Sequence, residues 1–112
     1  MKLIHLQEIP LEKSSLAGTQ GTTLRWLIAA QDGAPHYAMR LFEIEPGGSI
    51  PAHTHEDIEH EIFIVEGKAL CSDGDKDTVV KAGDALLILP GDQHSFKNNY
   101  DLPFRFICVI PV

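Results

Sequence analysis

Short runs of β-branched, aromatic and leucine residues are broken along the whole chain by Gly, Pro and Asp at close intervals. That punctuation leaves little room for a helix of ordinary length and reads as an all-β sandwich or barrel. Strands are expected at Thr23 to Ala29, Tyr37 to Glu45, Ile50 to Thr54, His60 to Glu66, Ala69 to Ser72, Thr78 to Lys81, Ala85 to Leu89, His94 to Lys97 and Pro103 to Ile110. Pro46-Gly47-Gly48 combines a fixed φ with two residues free to take positive φ, and so is expected to break the chain between two strands. Asp73-Gly74-Asp75 and Glu66-Gly67-Lys68 read as hairpin-type turns. Leu6 to Leu16 has some helical spacing, but Pro10 and the Ser14-Ser15 pair make it an irregular or edge segment.

Antiparallel strands in this number must remove their exposed edges, and a jelly roll does so by folding two sheets over one another. Residues 1–112 have the length of one domain, with 44% hydrophobic residues to build its core. Sixteen acidic residues against nine basic ones give a formal charge of −7, which repels phosphate backbones and anionic surfaces, so nucleic acid is not an expected partner. No run approaches the roughly 18 apolar residues of a membrane span, and Glu8 and Glu12 behind Lys2 do not fit a secretory signal. Cys71 and Cys108 form no Cys-x-x-Cys pair and read as reduced thiols, consistent with a cytoplasmic protein.

Four of the six histidines fall in two short segments. In Gly47 to Gly67, His53 and His55 sit two apart, a spacing that puts both imidazoles on one face of an extended strand. After a four-residue loop, His60 alternates with Ile62 and Ile64 on one face, Glu61 with Phe63 and Val65 on the other. In Ala82 to Asn99 an apolar strand runs into Pro90-Gly91-Asp92 and delivers His94 at the start of the next. Neutral imidazole is the commonest metal ligand among side chains, so this constellation is a candidate metal site. His5 and His36 stand apart from it.

These two segments resemble the two motifs of the cupin family. The first is Gly, five residues, His-any-His, three or four residues, Glu, six residues, Gly; Gly47, His53, His55 and Gly67 match it. Counting back from Gly67 puts His60 in the glutamate's place, while Glu59 satisfies the alternative count from His55 and Glu61 lies beside it. The second is Gly, five residues, Pro-any-Gly, two residues, His, three residues, Asn; Gly83, Gly91, His94 and Asn98 match, with Pro90 one place late. The resemblance implies a double-stranded β-helix (jelly-roll) barrel. It also implies one divalent metal ion per chain on His53, His55 and His94, with His60 as fourth ligand in place of the usual carboxylate. Manganese or iron is favoured, and zinc, nickel, cobalt or copper are compatible.

Glu59 and Glu61 read as solvated carboxylates, with a ligand or outer hydrogen-bonding role as the alternative. Cys108 shares a face with Phe104, Phe106 and Ile110 and reads as core, or else as a thiol near the metal pocket. Arg40, interrupting an apolar stretch, either snorkels to solvent or holds a substrate carboxylate. Trp26 reads as a barrel-wall or interface residue. If the ion is octahedral, four protein ligands leave two positions for substrate or dioxygen, whereas tetrahedral zinc would be closed. The expected function is a dioxygenase-type, metal-dependent oxidoreductase acting on a small anionic or enolisable substrate inside the barrel, with no catalytic residue assigned. A metal-assisted isomerase or decarboxylase and a non-catalytic metal or small-ligand binding protein are the alternatives. Small cupins of this kind pair through their sheets, so a homodimer is expected, with Leu3 to Leu6 available as a strand for a neighbour's edge.

Overall fold

The computed structural model describes residues 1–112 as nine strands and two single-turn 3₁₀ segments, Leu6–Glu8 and Ala30–Asp32. The strands are β1 (Glu12–Lys13), β2 (Gln20–Ile28), β3 (Tyr37–His53), β4 (His60–Glu66), β5 (Lys68–Ser72), β6 (Asp77–Lys81), β7 (Ala85–Ile88), β8 (His94–Lys97) and β9 (Phe104–Pro111). All recorded pairings are antiparallel, in the order β6-β5-β8-β3-β9-β4-β7 with β2 also on β3 and β1 on β2.

The long strand β3 explains the curl. Its first half pairs with β2 and β9, and its second half, from Ser49, pairs with β8. One strand therefore belongs to two sheets that fold over one another, the jelly-roll solution to exposed edges. Pro46-Gly47-Gly48 does not break the chain as expected; it is the corner of β3. Gly47 takes φ +85°. The backbone stays bonded there, because Gly47 N–H donates to Asn98 O at 2.8 Å and Asn98 N–H to Gly48 O at 3.0 Å. The turn residues thus bend a strand whose ladder continues, which is the work of a sheet corner.

The second correction concerns Glu66-Gly67-Lys68. It is no hairpin, since β4 pairs with β7 and β9 while β5 pairs with β6 and β8. Gly67, at φ +78°, carries the chain from one sheet to the other against the Pro103 carbonyl, where a Cβ would collide. Asp73-Gly74-Asp75 does lie in a hairpin loop, between β5 and β6, with Asp73 Oδ1 accepting from the N–H groups of Asp75 and Lys76. Leu3 to Leu6 forms no strand; the 3₁₀ turn at Leu6 is held by Gln7 N–H donating to His5 Nδ1 at 3.0 Å.

Alternation fills the space between the sheets. On β9 the residues Phe104, Phe106, Cys108 and Ile110 are buried, and on β4 His60, Ile62 and Ile64. Phe106 stacks on Phe42 at 5.0 Å and on Phe96 at 5.1 Å, joining the two sheets through aromatic faces. Asn98, fully buried, donates from Nδ2 to the Ile44 and Leu102 carbonyls and accepts at Oδ1 from Tyr100 N–H. A buried amide so satisfied is a structural tie at the end of β8.

Candidate metal centre and its cavity

Three strand ends bring four histidines to one mouth of the barrel. His53 is the last residue of β3, His60 and His94 are the first of β4 and β8, and His55 lies two residues past β3. His53 and His94 are direct cross-strand partners, with ring centroids 4.1 Å apart. His55 is held beside them by its carbonyl, which accepts from Gly91 N–H at 2.8 Å, so the Pro90-Gly91-Asp92 turn positions two histidines at once. His55 lies 5.0 Å from His53 and 5.0 Å from His60, ring to ring, and His60 lies 5.5 Å from His94.

Tautomers follow from the outer hydrogen bonds. His53 Nδ1 lies 2.8 Å from the Pro51 carbonyl and His94 Nδ1 3.1 Å from that of Asp92. A carbonyl only accepts, so each Nδ1 carries the proton and each Nε2 keeps its lone pair free, the arrangement that orients a ligating imidazole. Burial holds His55 and His94 below the usual imidazole range. It holds His60 down to about 4, with His55, Arg40, His94 and His53 adding repulsion. Neutral imidazole is the form that binds metal.

Ligand atoms of His53, His55 and His94 all lie within 4.8 Å of one another, close enough for one ion. His60 stands beside this trio but outside that limit; its buried Nδ1 has no hydrogen-bond partner. An unsatisfied buried nitrogen amid three such rings is the donor chemistry a divalent ion of the transition series requires.

The carboxylates beside His60 point away from the site, as the solvated reading of them expects. Glu59 and Glu61 are exposed and outside the cavity, where a hydrogen bond to Glu59 and then burial raise the Glu61 carboxyl. Cys108 and Arg40, in contrast, both line the cavity that holds the histidines. Arg40 Nη2 donates to Cys108 Sγ at 3.2 Å, so the guanidinium points inward and not to solvent.

This cavity, of about 430 Å³, has a wall of Trp26, Phe42, Phe96 and Phe106, and Glu12 to Ala17 border it too. Trp26 is thus a barrel-wall residue of the site itself. The parity of β3 is a sequence signal for Arg40, because Ala38, Arg40, Phe42 and Ile44 share one face. Nothing in the sequence around Glu12 to Ala17 marks it as part of a cavity wall.

The profile of the family described as Cupin domain matches residues 40–110. The oxalate-binding protein of Thermotoga maritima is 30% identical over 112 residues, covering 96% of this chain and 92% of that protein. The polyketide cyclase RemF of Streptomyces resistomycificus has a similar structure, with a TM-score of 0.93, 35% identity and coverage of 99% of this chain and 79% of that one. A predicted oxalate decarboxylase of Thermotoga maritima superposes with a TM-score of 0.87 at 25% identity, covering 99% of both chains.

Proposed function

This chain belongs to the cupin domain family, and on that premise we propose that it is a metal-dependent enzyme acting on a small enolisable or anionic substrate with closely spaced carbonyl oxygens. The convergence of His53, His55 and His94 on one point in an aromatic-walled cavity carries this reading. His60, with its free Nδ1, is the proposed fourth ligand. A divalent ion held there, manganese or iron by preference, supplies Lewis acidity toward the substrate's carbonyl oxygens and acidifies the C–H between them.

The remainder is done by the chain's own residues. His53 and His94 keep their lone pairs on the cavity side through the bonds to Pro51 and Asp92. Trp26, Phe42, Phe96 and Phe106 offer flat apolar faces and exclude water. Oxalate and a polyketide chain, the molecules in the names of the two relatives, share closely spaced carbonyl oxygens. A cavity of about 430 Å³ has room for more than oxalate, which favours a larger, conjugated substrate.

Two fates of such a substrate are compatible with this centre: reaction with dioxygen, as in a dioxygenase, and non-redox rearrangement, as in a cyclase, isomerase or decarboxylase. The 35% identity to a polyketide cyclase favours the second. Elemental analysis of protein purified from unsupplemented medium tests the centre itself; close to one equivalent of metal per chain is expected, and none would end the reading. Oxygen uptake with a panel of β-dicarbonyl acids then separates the two fates. Binding without turnover of any of them would instead mark a ligand-binding protein. The homodimer is proposed too, supported by Met39, Phe63, Val65 and Leu87, exposed apolar residues of the β3-β9-β4-β7 sheet that alternate with its inward-facing row.

A further inference from the structure

Arg40 presents a guanidinium to the interior. On β3 it alternates with the buried Ala38 and Ile44, and it pairs with Trp26 of β2 on one side and Cys108 of β9 on the other. Its guanidinium carbon lies 5.3 Å from the Trp26 ring centre and 5.0 Å from that of Phe42. Aromatic faces stabilise a cation from the flanks and leave the edges of its planar fork free.

Those edges are almost unused. Of its five N–H donors, one meets an acceptor, the Cys108 sulfur, and Nε is buried without a partner. The ion pairs of the molecule are Lys2 with Asp32 and Arg105 with Glu43 and Glu66, so no carboxylate answers Arg40. Burial pushes the Cys108 thiol up, against the pull of Arg40, and a neutral thiol is a weak acceptor. Glu12 borders the cavity but makes no ion pair with Arg40, and a charge turned into a cavity without a paired counter-charge is costly unless a ligand supplies one.

We propose that Arg40 is the anion-recognition subsite of the cavity, taking the carboxylate of a planar conjugated ligand whose ring lies against Trp26 and Phe42. The inference deepens the proposed function, since the same ligand's other oxygens then face the histidines that line the same cavity. Substrates with an acidic group and a flat conjugated system are selected, and neutral analogues are discriminated against.

Salicylate is the probe and salicylamide its uncharged counterpart, with quenching of Trp26, the sole tryptophan of the chain, as the readout. Protein as purified should bind salicylate more tightly than salicylamide. Arg40→Gln should weaken salicylate binding about tenfold or more while changing salicylamide binding little, and should retain the wild-type metal content. Arg40→Lys, which keeps the charge but not the fork, should fall between them. If near-ultraviolet circular dichroism shows Arg40→Gln to be misfolded, the salicylate-selective loss must appear in Arg40→Lys. Equal losses for both ligands, no loss, or no saturable salicylate binding at millimolar concentration would overturn the proposal. The same comparison after chelation separates the two readings: if chelation leaves salicylate affinity untouched while the Arg40→Gln loss persists, the metal reading fails and the Arg40 subsite stands.

Discussion

His60 is the residue on which the composition of the centre turns. It occupies the place where the family motif has a glutamate, and β4 could present Glu59 or Glu61 there only by slipping one residue, which would turn Ile62 and Ile64 out of the core. Metal titration of His60→Ala should therefore show binding weakened about tenfold or more, with Glu59→Gln and Glu61→Gln close to wild type, given typical effects of ligand and outer residues. Loss of metal in a glutamine variant with retention in His60→Ala would assign the centre to three histidines and a carboxylate. Acidity acts on the same rings. Because burial holds His55, His60 and His94 below their unfolded value, the unfolded chain takes up more protons than the folded one as pH falls from about 6.5, the ordinary imidazole value, toward the His60 value of about 4. The stability of metal-free protein should be at its full histidine-dependent value above that window and decline through it on acidification, and bound metal should be released in the same direction. Urea midpoints across the window check the first statement, and metal content after gel filtration the second; midpoints that rise as pH falls would contradict it.

Among the elements, the corner of β3 and the crossover at Gly67 do what alternation along one strand cannot. Asn98 fastens that corner through three side-chain hydrogen bonds, two of them to carbonyls. Asn98→Ala leaves buried acceptors unsatisfied and should lower stability by about 3 kcal/mol in chemical denaturation. An effect within the scatter of surface substitutions would show that water replaces the amide. Gly67→Ala places a Cβ against the Pro103 carbonyl at a positive φ and should lower stability by about 2 kcal/mol or more, with the β4-to-β5 crossover as its origin. The same substitution at Gly83, also at positive φ but with open space around its Cβ, should have a smaller effect.

For the molecule as a whole, the apolar core cluster draws on residues from Ala29 to Ile110, so the fold should survive without the ion. Metal removal should leave a cooperative transition at a lower Tm. At an ion concentration about a hundredfold above Kd the loss is about 2.7 kcal/mol, a fall on the order of 10 °C for a domain of this size. A chelated protein with no cooperative transition at room temperature would mean that the ion is needed for the fold itself. The outer face of the β3-β9-β4-β7 sheet, where Phe63 and Leu87 are about half exposed, at 48% and 60%, is where the proposed dimer would close. Light scattering should find Phe63→Glu with Leu87→Glu monomeric and the wild type dimeric; a dimer that survives both changes uses another face.

The all-β class, most strand positions and the four motif histidines are readable in the amino-acid order, because strand alternation and turn chemistry are local and because the motif spacings are fixed by the strands that carry them. What local pattern cannot convey is which strand lies beside which. Pro46-Gly47-Gly48 and Glu66-Gly67-Lys68 carry turn residues either way, and only the pairing of β3 with β8 and of β5 with β6 and β8 makes one a corner and the other a crossover. The neighbours of Arg40 leave two readings open, a side chain snorkelling to solvent or one holding a substrate carboxylate. Arg40 becomes a cavity residue because Trp26 and Cys108, 14 positions before it and 68 after it, come to its two sides when the sheet closes. A side chain's environment is set by contacts distant in sequence, and those exist only once the chain has folded.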